Sequence, residues 1–225
     1  GNTALAGGAI SALQTVGNSV VVVNDSTFTK NFARDKGGAI YFDDLSEVEV
    51  NGTEFTSNGA AKGGAIYALG ELEVSDSNFT ENEADYGSAI YAADDYATFD
   101  VTVTGSTFTR NAAISAGAIA IVGDLDYTIS DSDFINNTAV ANSPDGCAAG
   151  GAIYTDGPAV GTIKGSTFTG NKVEAEVYPN GGAIKIQFGG TAMIDDCTFT
   201  DNYAAQNGGA IALQANTGED CEVFV

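Results

Sequence analysis

One phrase recurs along the whole chain, and this repeat constrains the fold more than any other feature. Each copy opens with a phrase close to Gly-Gly-Ala-Ile. Successive isoleucines lie from 24 residues apart, between Ile66 and Ile90, to 34 residues apart, between Ile119 and Ile153. The repeated isoleucines are Ile10, Ile40, Ile66, Ile90, Ile119, Ile153, Ile184 and Ile211. A period of this length is typical of solenoids, in which each repeat stacks on its neighbours.

A second spacing is the same in every copy, because an asparagine stands three residues after a repeated phenylalanine. The phenylalanines are Phe28, Phe55, Phe79, Phe108, Phe134, Phe168 and Phe199. The asparagines are Asn31, Asn58, Asn82, Asn111, Asn137, Asn171 and Asn202. A β-branched residue lies five positions before each phenylalanine, within alternating runs such as "VEV" and "VTV", which indicate strands with one buried face. This pattern predicts about three short strands in each repeat. No segment shows the apolar periodicity of an amphipathic helix.

Stacked units of this kind predict an all-β fold, a parallel β-helix (solenoid) of about seven to eight coils. The composition shows no boundary, so residues 1–225 are interpreted as a single domain. The phenylalanines are expected to form a core ladder, worth roughly 1.5 to 3 kcal/mol per buried side chain. The asparagines are expected to form a structural ladder that satisfies backbone groups at a bend. The alternative is that each asparagine is a solvated loop residue.

A further column, three residues before each phenylalanine, alternates between aspartate and glycine from Asp25 to Asp196. Both residue types tolerate left-handed backbone, so the column predicts a turn. The alternation keeps carboxylates off adjacent coils, where they would repel each other, unless it arises by chance.

Composition excludes several classes of partner. The chain has 30 acidic and 8 basic residues, a formal charge of −22, which repels nucleic acid and anionic membranes. There is no histidine, the commonest general base and neutral metal ligand. The apolar runs are too short for membrane insertion, and the first residues do not resemble a secretory signal, so we expect mature or excised sequence. No cofactor is expected.

Gly-Gly-Ala-Ile paired with Phe-x-x-Asn resembles the repeats of the chlamydial polymorphic outer membrane proteins and, more broadly, extracellular right-handed parallel β-helix proteins. The resemblance runs from Gly7 to about Ile211. It implies a right-handed coil and a secreted protein at the cell surface, with an adhesive or structural function. The expected partners are another surface protein, a glycan, or further copies of the chain.

The leading interpretation is therefore a non-catalytic extracellular surface protein, with no catalytic residues assigned. The alternative is a polysaccharide-active lyase or hydrolase, which needs clustered carboxylates and a basic residue. The basic residues recur at no single column. Acidic pairs lie between the Ile and Val positions, and they are candidate carboxylates or Ca²⁺ ligands, or simply solvated surface. These pairs are Asp43 with Asp44, Asp94 with Asp95, and Asp124 with Asp126.

Two outward columns suggest other interpretations. Threonine flanks phenylalanine in four "TFT" phrases, an array that some ice-binding proteins use, although Glu54, Asn78, Asp133 and Ile135 interrupt it. Ice binding is the third candidate function, and threonine is also simply a good exposed strand residue. Tyrosine follows the repeated isoleucine at Tyr41, Tyr67, Tyr91 and Tyr154. These rings either contact a ligand or, as we favour, pack on one another.

The sequence suggests a disulfide and several glycosylation sites, and it leaves alternatives for both. Three cysteines permit one bridge within the chain, and the candidate disulfide joins Cys197 to Cys221, while Cys147 lies in an insertion. Cys197 also occupies a column of serines and a threonine, where it is alternatively a small residue that fits. The candidate glycosylation sites, relevant only to a eukaryotic source, are Asn24, Asn51, Asn78 and Asn136.

Two expectations concern the rod as a whole. The segments "TAVANSPDGCAAG" and "VEAEVYPN" lengthen consecutive coils at the same point, so they are expected to emerge side by side and to form the corner that contacts a partner. The coils begin and stop abruptly, so we expect a segment of a longer chain, or a subunit that stacks end to end into filaments.

Overall fold

A computed structural model describes residues 1–13, 19–44, 46–94, 98–141, 147–215 and 220–225, apart from the side chains of Cys147 and Tyr178. Over these ranges the regular structure consists of short strands, without a helix. The strands form four parallel sheets, named A to D, which the chain visits in that order in each coil. The expected all-β parallel β-helix is confirmed. A typical coil has four strands rather than about three, because the segment after each asparagine also pairs, and two coils have a fifth strand in sheet A.

Sheets B and D contain the two repeated apolar residues. Each strand of sheet B begins at a repeated isoleucine, and each strand of sheet D is centred on a repeated phenylalanine. The strands of sheet B are Ile10–Ala12, Ile40–Phe42, Ile66–Ala68, Ile90–Ala93, Ile119–Val122, Ile153–Asp156, Ile184–Gln187 and Ile211–Gln214. The strands of sheet D are Thr27–Thr29, Glu54–Thr56, Asn78–Thr80, Thr107–Thr109, Asp133–Ile135, Thr167–Thr169 and Thr198–Thr200.

Sheets C and A complete the coil on its two remaining sides. The strands of sheet C are Ser19–Asn24, Ser46–Asn51, Leu72–Ser75, Asp100–Thr104, Asp126–Ser130, Val160–Lys164, Thr191–Asp195 and Glu222–Phe224. The strands of sheet A are Thr3–Ala6, Phe32–Lys36, Gly59–Lys62, Glu83–Tyr86, Ala112–Ala116, Thr138–Val140, Cys147–Ala149, Lys172–Glu174, Val177–Asn180 and Tyr203–Ala204.

The phenylalanine ladder fills the core beneath sheet D. From Phe55 to Phe168 consecutive rings lie 4.7–4.8 Å apart and within 5° of parallel. This distance equals the spacing of hydrogen-bonded strands, so each ring sits directly on the next. The same stacking at every step makes the core beneath sheet D regular from coil to coil.

The asparagines form a continuous hydrogen-bonded ladder at the bend between sheets D and A. The backbone nitrogen and Nδ2 of Asn82 both lie 3.0 Å from Oδ1 of Asn111. Asn111 in turn donates from Nδ2 to the carbonyl oxygen of Phe79 at 2.9 Å and is fully buried. The ladder starts earlier than the repeat pattern indicates, because Asn2 donates to Asn31 in the same way.

A second ladder, of hydroxyl groups, runs through the turn between sheets C and D. Oγ of Ser106 accepts from the backbone nitrogen of Ser77 at 3.1 Å and donates to the carbonyl oxygen of Thr104 at 2.9 Å. The same column contains Ser26, Thr53, Ser77, Ser106, Ser132 and Ser166. Cys197 continues this column, and its Sγ donates to the carbonyl oxygen of Asp195 at 3.3 Å.

The candidate disulfide between Cys197 and Cys221 is wrong, because both thiols are free. Cys221 precedes Glu222, whose nitrogen bonds to Gly190 at the start of strand Thr191–Asp195. Cys197 follows the other end of that strand. Five residues at about 3.3 Å each separate the two positions by about 16 Å, and a disulfide requires Cα atoms within about 7 Å.

The aspartate and glycine column adopts the left-handed backbone expected of a turn, with φ of 47° at Asp76 and 58° at Gly105. The structure also gives the alternation a steric reason. A Cβ on Gly105 would lie 2.6 Å from Oδ1 of Asp76, and a Cβ on Gly165 would lie 2.6 Å from Oδ1 of Asp131. Each aspartate therefore covers the Cα of the glycine in the next coil.

Candidate binding face

Charged side chains are divided unevenly around the rod. We define the sheet A side as the strands of sheet A together with the turns that lead into them. Six of the eight basic residues lie there, namely Lys30, Arg34, Lys36, Lys62, Arg110 and Lys172. Its described acidic residues are Asp35, Glu81, Glu83, Asp85, Glu174, Glu176 and Asp201. The described sheet A side thus carries six positive and seven negative charges, a net charge of −1.

The rest of the rod is strongly acidic. Of the 30 acidic residues, three lie outside the described ranges and seven lie on the sheet A side, which leaves twenty. Only Lys164 and Lys185 offset them, so the described remainder carries −18. The basic residues do not all share one column, although Lys30 shares one with Arg110 and Lys36 pairs with Lys62, and the coil brings six of the eight to one side.

Large apolar side chains are also exposed on the sheet A side. Phe32 is 51% exposed, Ile114 48% and Tyr203 50%. Leu5 and Tyr86 are exposed as well. These residues lie on different coils and are separated by charged or small residues, so they do not form a single contiguous patch.

A groove of about 860 Å³ crosses five consecutive coils of the sheet A side, from Lys30 to Val140. Small residues such as Ala60, Ala84 and Ala113 line it together with Phe32 and Ile114. Its polar residues are Lys30, Ser57, Asn58, Glu81, Glu83, Asp85, Arg110 and Thr138, with the backbone of Asn31 beside them. Arg110 forms an exposed ion pair with Glu81, with Nη2 and Oε1 2.8 Å apart. The groove therefore offers donors and acceptors of both charge signs.

The two inserted segments also belong to the sheet A side. Strand Cys147–Ala149 pairs with strand Val177–Asn180, so the two insertions lie side by side as expected. They add a second pair of strands to sheet A in consecutive coils. Residues 142–146 of the first insertion lie outside the described residues.

The tyrosine column does not form a ligand platform. Tyr67 and Tyr91 are buried, and their rings stack 5.1 Å apart. Nζ of Lys36 lies 4.7 Å from the ring centroid of Tyr67, and Nζ of Lys62 lies 5.0 Å from that of Tyr91. Mutual packing, the interpretation favoured from the sequence, is confirmed for Tyr41, Tyr67 and Tyr91, with lysines covering the rings by cation–π contact. Tyr154 pairs with Ala120 and Lys185 instead.

Farther along sheet B, two ionisable groups are bonded within the protein. Tyr154 donates to Oδ2 of Asp156 at 3.0 Å, and burial, followed by the negative charge of Asp156, raises the pKa of Tyr154. Nζ of Lys185 donates to Oε1 of Gln214 at 3.0 Å, and burial lowers the pKa of Lys185. The Tyr154 bond lies within one strand, whereas the Lys185 bond joins adjacent coils.

Threonine occupies one outward column of sheet D almost completely. It contains Thr29, Thr56, Thr80, Thr109, Thr169 and Thr200, interrupted only by Ile135. The other column carries Glu54, Asn78 and Asp133 among its threonines. Ice binding by this face stays a prediction.

The described acidic residues of these pairs lie between sheets B and C, except Asp126, which begins strand Asp126–Ser130 of sheet C. Oδ2 of Asp94 accepts from the backbone nitrogen of Asp124 at 2.8 Å, and Oδ1 of Asp43 accepts from Ser46 at 2.9 Å. Asp95 lies outside the described residues. No group of three or more acidic or cysteine side chains in the described ranges is arranged to hold a metal ion. Calcium binding stays a prediction.

The four candidate glycosylation sites all expose their asparagines: Asn24, Asn51, Asn78 and Asn136. Their modification stays a prediction. Within the described ranges, no helix is long and apolar enough to cross a bilayer.

Comparison with known proteins agrees with this architecture. A family model of the right handed beta helix region matches residues 88–223, more than half of the chain. A model of the Chlamydia polymorphic membrane protein repeat matches residues 25–43 and 52–69. The handedness and the repeat resemblance expected from the sequence are thereby confirmed. No curated protein and no solved structure matches the chain.

Proposed function

Since the chain belongs to the right-handed β-helix family, a scaffold found in enzymes and in surface proteins alike, we propose that it is a non-catalytic extracellular surface module that adheres through its sheet A side. The match to the Chlamydia polymorphic membrane protein repeat supports a place at the cell surface. The sheet A side supports adhesion, because it combines balanced charge, exposed apolar side chains and a long groove.

Electrostatics favours this side over the other three. Most biological surfaces are anionic, and a rod whose described remainder carries −18 is repelled by them on most approaches. The described sheet A side carries a net charge of −1, so it is repelled by an anionic surface far less than the rest of the rod. Exposed apolar side chains such as Phe32 and Ile114 add apolar contact area to this side. Sheet C also exposes apolar side chains such as Val160 and Met193, so it is the balanced charge that distinguishes the sheet A side.

Adhesion of protein-coated beads to a panel of cells and matrix preparations tests the proposal. The double variant Phe32→Ser/Ile114→Ser alters the sheet A side. The matched control is Val160→Ser/Met193→Ser on sheet C, whose side chains are 50% and 53% exposed against 51% and 48%. We expect the first variant to lose adhesion by at least about tenfold, roughly 1.4 kcal/mol, while the control retains it.

Equal adhesion by both variants, with unchanged unfolding midpoints, would contradict the proposal. Assays on acidic and neutral polysaccharides test the enzymatic alternative in parallel. Turnover that a single carboxylate substitution abolishes would establish an enzyme instead.

A further inference from the structure

We infer that the groove on the sheet A side binds a linear, uncharged glycan that runs along the rod axis, with about one sugar unit over each coil. This inference rests on the proposed function, and it names the class of ligand that the same face takes. It follows from the shape of the groove, from the charge of its walls and from the spacing of its apolar side chains.

The shape of the groove fits a polymer. It crosses five coils, and in the register of sheet A Phe32 pairs with Gly59, Gly59 with Glu83, and Glu83 with Ala112. Coils repeat at the strand spacing, which the ring-to-ring distance of 4.7 Å between Phe79 and Phe108 records. This spacing is comparable to the length of one pyranose unit. A chain of sugars laid along the axis therefore meets a similar backbone surface at each step.

The charge of the walls fits an uncharged ligand. Lys30 and Arg110 stand among Glu81, Glu83 and Asp85, so a polyanion or a polycation would face groups of its own sign along the groove. Sugar hydroxyls both donate and accept hydrogen bonds. They are therefore compatible with ammonium, guanidinium and carboxylate groups in any order.

The spacing of the apolar groups favours a glycan over a folded protein. Protein interfaces concentrate their binding energy in a contiguous, desolvated central cluster. Here Phe32 and Ile114 lie three coils apart, with small and charged residues between them. Sugar rings present apolar C–H faces bordered by hydroxyls, which fits isolated apolar side chains set among polar ones. The Phe32 ring lies over Gly59, where a Cβ would be 3.5 Å from its Cδ2, so it is held against the groove floor.

Calorimetry with neutral linear oligosaccharides of increasing length, from several linkage types, is the direct test. We expect affinity to rise with length up to about five units, as expected when each unit adds contacts in a preformed site. Phe32→Ala should lower it by at least about tenfold, or roughly 1.4 kcal/mol, while the sheet C control Val160→Ala leaves it unchanged. A polyuronate of equal length should bind more weakly.

Treatment of the target surface separates this inference from the proposed function. Periodate destroys glycans and protease destroys proteins, so we expect bead adhesion to be lost after periodate and kept after protease. Loss after protease alone, with adhesion still dependent on Phe32 and Ile114, would overturn the glycan while leaving adhesion through the sheet A side. Adhesion that ignores both residues would overturn the proposed function itself.

Discussion

Nδ2 of Asn111 donates a hydrogen bond to the carbonyl oxygen of Phe79, 32 residues earlier, at 2.9 Å. The same amide group donates to Oδ1 of Asn137, and its own Oδ1 accepts two hydrogen bonds from Asn82. One fully buried side chain thereby joins three successive coils. All of its hydrogen-bonding capacity is used, so the bend between sheets D and A depends on it.

Replacing Asn111 with alanine is expected to lower the free energy of unfolding by at least about 3 kcal/mol, because each buried polar group left unpaired costs about 1 to 3 kcal/mol. A urea titration followed by circular dichroism measures the loss. The control is Asn51→Ala, which removes an exposed asparagine bonded to Ser75 and should change stability by less than about 0.5 kcal/mol. Equal and small losses would show that the ladder contributes little.

The contact between Asp76 and Gly105 can be measured as a coupling energy. Gly105→Ala should cost about 1 to 2 kcal/mol for its left-handed backbone, plus the displacement of the Asp76 carboxylate. In an Asp76→Gly background only the backbone cost remains. We expect a coupling of about 0.5 kcal/mol or more in the double-mutant cycle. Strict additivity would mean that the carboxylate moves aside freely and that the alternation has another cause.

Tyr127 gives the stability a dependence on alkaline pH. Its buried hydroxyl has no hydrogen-bond partner among the described residues, and burial raises its pKa. The unfolded chain ionises near pH 10, while the folded tyrosine stays protonated, so its contribution is complete below that pH and falls as pH rises above it.

Tyr127→Phe should therefore leave stability at pH 7 unchanged or raise it by up to about 1 kcal/mol, and it should flatten the decline above about pH 10. Urea titrations at neutral and alkaline pH test both effects. Tyr203→Phe, at an exposed site, should have the same free energy of unfolding as the wild type at neutral and at alkaline pH. A loss of stability at pH 7 would imply an internal water or other partner for the hydroxyl.

Cys197→Ser is expected to keep or raise stability, because serine restores the hydroxyl ladder. In the preceding coil Oγ of Ser166 donates to the carbonyl oxygen of Lys164 at 2.9 Å, whereas Sγ of Cys197 makes a longer bond of 3.3 Å. Cys197→Val lacks a donor and should be less stable than the serine variant by about 1 kcal/mol. Thermal melts of both variants without reductant test this. A large loss in both variants would imply that Cys197 forms a disulfide.

The two apolar columns made most of the fold predictable from the sequence. Ile66 pairs with Ile90, and Phe79 pairs with Phe108, because large side chains recur at one position only where they stack. Sheet A carried no comparable signal. Its least exposed residues are small, such as Ala84 and Ala113, and its strands are placed by the columns on either side of them.

The candidate binding face was harder to predict, because it depends on how the coil bends. Lys30 and Arg110 share one column, two residues after a repeated phenylalanine, and Lys36 shares another with Lys62. Only the turn between sheets D and A brings the two columns to one side. The burial of Tyr67 was also hidden, since an outward residue of one strand is covered by Lys36 from a neighbouring sheet. Alternation along a strand predicts which side chains point inward or outward. It does not predict which outward side chains are covered by a residue of the neighbouring sheet.

The four parallel sheets also determine how the rod responds to mechanical force. Strands run around the axis, so the hydrogen bonds between coils point along it. A pull along the axis loads the bonds of one coil boundary after another, and we expect coils to peel away singly at low force. A pull across the axis loads many coils at once and should meet far higher resistance. Single-molecule stretching between cysteine handles on distant coils, or on opposite sides of one coil, would measure this anisotropy, and similar forces in both directions would contradict it.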